Sequence, residues 1–140
     1  MKATTYRQEL ESTGKCVAQT VGISMEPLLH ANMSTVYLER TTEPLKVMDI
    51  VLYENDEGEY ILHRIWKIRG DELLLRTDNG LTPERVHRSQ VLGVCKGYYR
   101  DASDEYTEIG SREDRRYLRQ LHIRYMRKKI KHALQTIIRT

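Results

Sequence analysis

The chain lacks the apolar segments that mark membrane and secreted proteins. Its 140 residues contain no run that approaches the roughly 18 consecutive apolar residues of a transmembrane helix. The N-terminal residues, Met1 to Glu9, contain no apolar segment of the kind that a secretory signal needs. Together these absences predict a cytoplasmic protein, with peripheral association at a membrane as the alternative.

Cysteine is scarce, and histidine shows no metal-binding pattern. The two cysteines, Cys16 and Cys95, are too few for a disulfide framework and too far apart for a zinc site. Each lies among apolar residues of a predicted strand, so we expect both to be buried thiols. Four of the five histidines have no ordered ligand spacing: His30, His87, His122 and His132. We therefore expect no metal ion and no cofactor.

Charge is present in both signs but is unevenly distributed. The net charge is +3, from 23 Lys and Arg against 20 Asp and Glu. Residues 111–140 carry ten basic and two acidic residues (net +8), which leaves 13 basic and 18 acidic residues (net −5) in residues 1–110. The sequence therefore predicts an acidic body followed by a basic segment.

The body is predicted to be mainly β. Residues 5–13 are typical of a short helix that Gly14 ends. Runs rich in Val, Ile, Leu and Tyr predict strands over 16–21, 35–39, 49–54, 60–68, 73–77 and 91–99. Because tight turn signals separate these short strands, an all-β core is favoured over βαβ units. We expect one domain over residues 1–110.

The basic segment is predicted to be one long amphipathic helix over 111–140, packed on or extending from the β domain. Ser111 and Asp114 form an N-cap signature. Apolar residues recur at near-helical spacing: Leu118, Leu121, Tyr125, Ile130, Leu134, Ile137 and Ile138. Such a helix could pack its apolar face on the sheet, or it could dock to a membrane surface or an acidic partner. Nucleic acid is the least favoured partner, because no recognition motif accompanies the charge.

The segment Gly22-Ile23-Ser24-Met25-Glu26-Pro27 carries the first chemical signal. A predicted strand ends at Gly22, and Ser24 follows in a turn that Pro27 stiffens. A serine hydroxyl is a poor nucleophile until a base takes its proton, so the sequence must supply a base elsewhere. We expect Gly22, Met25 and Pro27 to shape this turn and line a substrate groove, and the backbone N–H of Ser24 to bind an oxyanion.

The candidate base is His63, which interrupts an otherwise apolar predicted strand. Histidine titrates near neutral pH and accepts protons efficiently there. A third group normally fixes its tautomer, and Asp78, at the end of the next strand, is best placed to do so. Asp71 or Asp49 could serve instead. Ser24, His63 and Asp78 form a candidate catalytic triad.

Four blocks of the sequence resemble one known family. They are Ser24–Pro27, Asp49–Tyr53, Leu62–Ile65 and Thr77–Asn79, and their order and approximate spacing are those of type I signal peptidases, whose superfamily includes the LexA-like repressors. The resemblance covers about residues 16–98. It implies a coiled β core and a serine peptidase activity.

The residue at the base position distinguishes the subtypes. The commonest bacterial signal peptidases and the LexA-like proteins use a lysine base, whereas the archaeal and endoplasmic-reticulum type uses histidine. His63 falls where that lysine would be, so the resemblance implies Ser24 as nucleophile, His63 as base and Asp78 as acid. Lys67, which strand alternation puts on the same face as His63, is expected to be a surface residue.

The sequence departs from the family pattern in two turns and in one larger feature. Met48 and Thr77 stand where glycine usually precedes Asp49 and Asp78. The membrane anchor of a signal peptidase is also missing from the sequence. Both turn substitutions lie close to the predicted site.

The resemblance predicts a serine endopeptidase that cleaves a peptide or protein precursor, for example in leader or propeptide processing. The substrate is expected to lie extended beside a sheet edge. A non-catalytic peptide-binding module of the same fold is the alternative. A self-cleaving LexA-type regulator is disfavoured, because only 23 residues precede Ser24 and neither Ala-Gly nor Cys-Gly occurs.

Overall fold

In a computed structural model of the protein, the described residues are 5–19, 34–40, 43–78, 83–100 and 105–139, with side chains as far as residue 137. The chain divides into two compact units, Met1–Ile109 and Gly110–Thr140. No helix within the described ranges has both the length and the apolar character that crossing a bilayer requires.

The first unit is an antiparallel sheet preceded by one short helix. Its elements are α1 (Tyr6–Thr13), β1 (Lys15–Gln19), β2 (Thr35–Glu39), β3 (Ile50–Glu54), β4 (Tyr60–Arg69), β5 (Glu72–Arg76), β6 (Glu84–His87), β7 (Val91–Tyr99) and β8 (Tyr106–Glu108). The strand order is β1-β2-β7-β3-β4-β5-β6, and β8 also pairs with β7. The sheet curls into a half-barrel. The predicted mainly β fold, with a short N-terminal and a long C-terminal helix, is confirmed.

The core is built from inward residues of β3 to β7, together with Leu45 from the segment before β3. Its main cluster comprises Leu45, Val51, Tyr53, Ile65, Leu73, Leu75, Val86 and Val94. The strands β1 and β2 show the alternation of buried and less buried residues that a sheet with one packed face requires. Cys16 on β1 and Cys95 on β7 are both buried and form no disulfide, as predicted.

The helix α1 has the capping chemistry that its sequence indicates. Thr5 is the N-cap, and its hydroxyl accepts the N–H of Gln8 while the Gln8 side chain accepts the N–H of Thr5. Gly14 ends the helix in the left-handed conformation, with φ of 77°, which glycine adopts without steric cost. Leu10 is the buried residue that joins α1 to the core.

Two strands, β6 and β8, were not predicted. The strand β6 has a single buried residue, Val86, among charged ones. The strand β8 is three residues long and has no buried residue. Neither offers the apolar repeat on which a strand prediction depends, and both are strands because they pair with β5 and β7.

The second unit contains the helix α2 (Arg112–Arg139), which begins where the cap signature places it. The Ser111 hydroxyl accepts the N–H of Asp114 at 3.3 Å, and the Asp114 carboxylate accepts the N–H of Gly110 at 2.9 Å. These bonds satisfy two backbone donors at the start of the helix, and the carboxylate is favourable there because the N-terminal end of the dipole is positive.

The apolar residues from which α2 was predicted lie on two sides of the helix, which corrects the expectation of a single apolar face. Leu121 is buried and Leu118 is half-buried, whereas Ile130 and Leu134 are more than half exposed. The reason is geometric. Leu121 and Ile130 are nine residues apart, which is two and a half turns, so they lie on opposite sides of the helix.

Candidate active site around His63

The predicted nucleophile, Ser24, lies outside the described residues, as do Gly22, Met25 and Pro27. The described strand nearest to them along the chain is β1, which ends at Gln19. The geometry of the candidate site therefore concerns the predicted base and acid and the residues around them.

His63 lies in the middle of the sheet, on β4 between β3 and β5. It pairs with Val51 on β3, and Tyr53 lies two residues further along β3 on the same face. The His63 side chain is 11% exposed. Its Nδ1 atom is 3.2 Å from the Tyr53 hydroxyl, and the two rings meet edge to face with centroids 5.8 Å apart. Diagonal cross-strand pairing thus fixes the imidazole against a buried tyrosine.

The Tyr53 hydroxyl links His63 to a carboxylate on β6. It donates its proton to Oε2 of Glu84, and the same oxygen is 3.8 Å from Nδ1 of His63. A tyrosine has one hydroxyl proton, so the Tyr53 oxygen accepts the Nδ1–H of His63. The neutral imidazole that fits this arrangement has its lone pair on Nε2, which is the form that accepts a proton.

Burial and charge act on this group in opposite directions. Burial lowers the pKa of His63 below its ordinary value of 6.5, and the negative charges of Glu84 and Asp78 oppose that shift in part. Burial and the hydrogen bond to Glu84 raise the pKa of Tyr53, which keeps the hydroxyl protonated as a donor. His63 is therefore neutral at physiological pH and able to act as a base.

Asp78 is fully buried, and its described hydrogen bonds go to Arg64. The Arg64 guanidinium donates to both carboxylate oxygens, from Nε at 2.8 Å and from Nη2 at 3.0 Å. Its Nη1 donates to the carbonyl of Met48 at 2.9 Å. Since Arg64 follows His63 along β4, the two side chains leave the strand on opposite faces. The structure brings Asp78 to Arg64 and not to Nδ1 of His63, on which Asp78 acts through its charge.

The structure also describes the residues considered as alternatives to Asp78 and His63. The Asp49 carboxylate accepts the backbone N–H of Lys46 at 2.8 Å, and Asp71 is exposed. Lys67 is exposed, as predicted, but it does not share a face with His63. A register shift between Ile65 and Lys67 pairs Lys67 with Leu74, so the strict alternation assumed for β4 is wrong beyond Ile65.

Met48, one of the two departures from the family pattern, has the backbone conformation that glycine favours. Its φ is 79°, and it is the one non-glycine residue with positive φ in the part of the chain that the structure describes. Its N–H donates to the carbonyl of Ile65 at 2.7 Å, and its carbonyl accepts from Arg64. The Arg64 side chain therefore bonds both to the turn before β3 and to Asp78, two residues after the end of β5.

Sequence reasoning missed three residues of this site: Tyr53, Arg64 and Glu84. Tyr53 and Arg64 lie within the blocks that carry the family resemblance, and a buried polar tip in a predicted apolar strand was an available signal. No sequence signal pointed to Glu84, because it joins the site only through the pairing of β6 with β5.

No family model matches the chain, and no curated protein matches it. Within the described ranges, no three His, Cys, Asp or Glu side chains are grouped so that they could hold a metal ion. What the described site can do chemically is accept a proton at Nε2 of His63 and stabilise the resulting positive charge through Tyr53 and Glu84.

Proposed function

We propose that the chain is a signal-peptidase-like serine endopeptidase in which His63 activates Ser24. The observation that carries the proposal is the hydrogen bond from Nδ1 of His63 to Tyr53, because it leaves the Nε2 lone pair as the proton acceptor. The four sequence blocks supply the rest of the support, since they carry Ser24, His63 and Asp78 in the family's order.

In this mechanism the Ser24 hydroxyl attacks the carbonyl carbon of the peptide bond, and its proton passes to Nε2 of His63. The imidazolium is stabilised at Nδ1 by the Tyr53 oxygen and by Glu84, whose carboxylate is 3.8 Å away. When the C–N bond breaks, His63 gives the proton to the leaving amine. A water molecule then hydrolyses the acyl-enzyme, with His63 taking its proton and returning it to Ser24.

The proposed substrate is an extended peptide that runs along β1. This strand pairs with β2 on one side, and among the described strands no other pairs with it. Its last residue, Gln19, precedes Ser24 by five residues along the chain, and in this proposal a peptide added at the β1 edge reaches that serine. Leader or propeptide segments, which are extended and accessible, fit this mode of binding.

A serine-directed covalent probe tests the proposal on the intact protein. We expect mass spectrometry to find one modified residue, Ser24, and labelling to be lost in Ser24→Ala. The control is Ser12→Ala, which removes an exposed serine of α1 and should leave labelling unchanged. Folded protein that is not labelled, or Ser24→Ala protein labelled like the wild type, would overturn the peptidase and favour a peptide-binding module.

A further inference from the structure

The second half of α2 presents a row of exposed aliphatic side chains. Ile123, Met126, Ile130, Leu134 and Ile137 are between 50% and 68% exposed. Their spacing of three or four residues places them on one side of the helix, in a strip about 20 Å long. These five residues are called the apolar stripe below. Every described side chain from residue 126 to 137 is exposed.

Basic residues border the apolar stripe on both sides. At 3.6 residues per turn, Arg127 and Lys131 lie along one edge and Lys129 along the other. No acidic residue occurs after Asp114, so the helix carries one sign of charge for its last 25 residues. A partner must therefore offer an apolar environment that is negatively charged along both edges.

A second copy of this helix does not meet that requirement. The stripe has the spacing of a coiled-coil seam, but the flanking positions that should carry opposite charges hold Arg127 and Lys129. Pairing two copies would bring these cations together. Nucleic acid supplies the negative charge but no apolar surface for the isoleucines.

We propose that residues 123–137 of α2 dock on an anionic membrane surface, with the apolar stripe at the headgroup–acyl boundary and the flanking Arg and Lys on lipid phosphates. An anionic bilayer provides hydrocarbon below and negative charge on both sides along the whole helix. Long basic side chains reach the headgroups while their methylene stems stay in the apolar layer. This inference does not depend on the proposed peptidase activity.

Sedimentation of the full-length protein with vesicles tests the proposal. We expect binding to phosphatidylcholine vesicles that contain about 30% phosphatidylglycerol and little binding to phosphatidylcholine alone. Binding should weaken steeply toward about 1 M salt, where the Debye length falls to about 3 Å. No binding to the anionic vesicles, or equal binding to both kinds, would overturn the proposal.

Two variants separate the contribution of the stripe from that of the charges. Ile130→Ser with Leu134→Ser should lower the partition coefficient at least about 30-fold. Arg127→Gln, Lys129→Gln and Lys131→Gln together should lower it about 100-fold. The matched control, Gln120→Ser with Gln135→Ser, changes two exposed polar residues of the same helix and should bind within about twofold of the wild type.

The variants change exposed side chains, so circular dichroism should show the helix content of the wild type. If the charge variant loses binding and the stripe variant does not, adsorption is purely electrostatic and the apolar docking is refuted. If the protein binds no vesicles and the stripe variant alters its sedimentation velocity, the occupant of the stripe is a second copy of the chain.

Discussion

Two consecutive residues of β4, His63 and Arg64, are both buried, yet their surroundings differ in kind. Arg64 has a carboxylate on two of its nitrogens and a carbonyl on the third. Among the described residues, His63 has one hydrogen-bonded nitrogen, and a carboxylate 3.8 Å from that nitrogen belongs to Glu84, whose side chain is 41% exposed. The strand β4 thus holds the buried Arg64–Asp78 ion pair on one face and the titratable His63 side chain on the other. The difference indicates that Arg64 and Asp78 stabilise the fold, whereas His63 is available for proton transfer.

The largest effect on stability is expected at the buried Arg64–Asp78 ion pair. Asp78→Ala should lower the free energy of unfolding by about 3–5 kcal/mol, because it removes the carboxylate that pairs with the buried Arg64 charge. Denaturant unfolding followed by circular dichroism measures this. The control Asp71→Ala removes an exposed carboxylate and should change the value by less than about 0.5 kcal/mol. Equal effects of the two substitutions would remove the distinction between the faces.

On the other face, Tyr53→Phe should affect activity more than stability. It removes the acceptor that fixes the His63 tautomer, so we expect labelling of Ser24 to slow about 10- to 100-fold. The loss in unfolding free energy should be about 1–2 kcal/mol. Tyr37→Phe is the matched control, since it removes one hydroxyl bonded to Glu39 on β2. A wild-type labelling rate in Tyr53→Phe would show that this hydrogen bond does not orient the base.

How far the sequence predicts this molecule depends on how local each feature is. The strand over 91–99, the helix end at Gly14 and the cap at Ser111 are encoded in a few neighbouring residues, and the structure confirms them. The link from His63 to Glu84 arises only when β3, β4, β5 and β6 are aligned, and no local pattern specifies that alignment.

The same argument explains why the pairing of Asp78 with Arg64 was not predicted. Asp78 was chosen because it ends the strand after His63, which is a statement about position along the chain. Its carboxylate pairs with Arg64, whose side chain alternation places on the other face of β4. A sequence cannot reveal which of two adjacent polar residues takes a buried acid. The resemblance to signal peptidases likewise remains a prediction.

A smaller effect should follow from the titration of His63. Its pKa is lower in the folded protein than the ordinary 6.5, so the unfolded chain binds more protons and acid favours unfolding. The free energy of unfolding should therefore fall as the pH drops from about 6.5 to about 5. In His63→Gln the slope over this window should be flatter. Parallel curves for the two proteins would contradict the assigned shift.

The smallest effect concerns the turn that Arg64 holds. Met48→Gly should raise the unfolding free energy by about 0.5–1 kcal/mol, because glycine adopts a φ of 79° without the strain of a side chain. Met48→Ala keeps the strained backbone and removes most of the side chain, so it should bring no gain. Thermal unfolding of both variants decides this, and a gain in Met48→Ala would mean that the side chain is the cause.

The most direct test of the central claim compares the pH dependence of Ser24 labelling with an NMR titration of His63. If His63 is the base, both curves have the same midpoint, below pH 6.5. In Glu84→Gln both midpoints should move to lower pH together, because the carboxylate that raises the pKa of His63 is gone. A labelling rate whose midpoint stays in place while the His63 midpoint moves would show that another group activates Ser24.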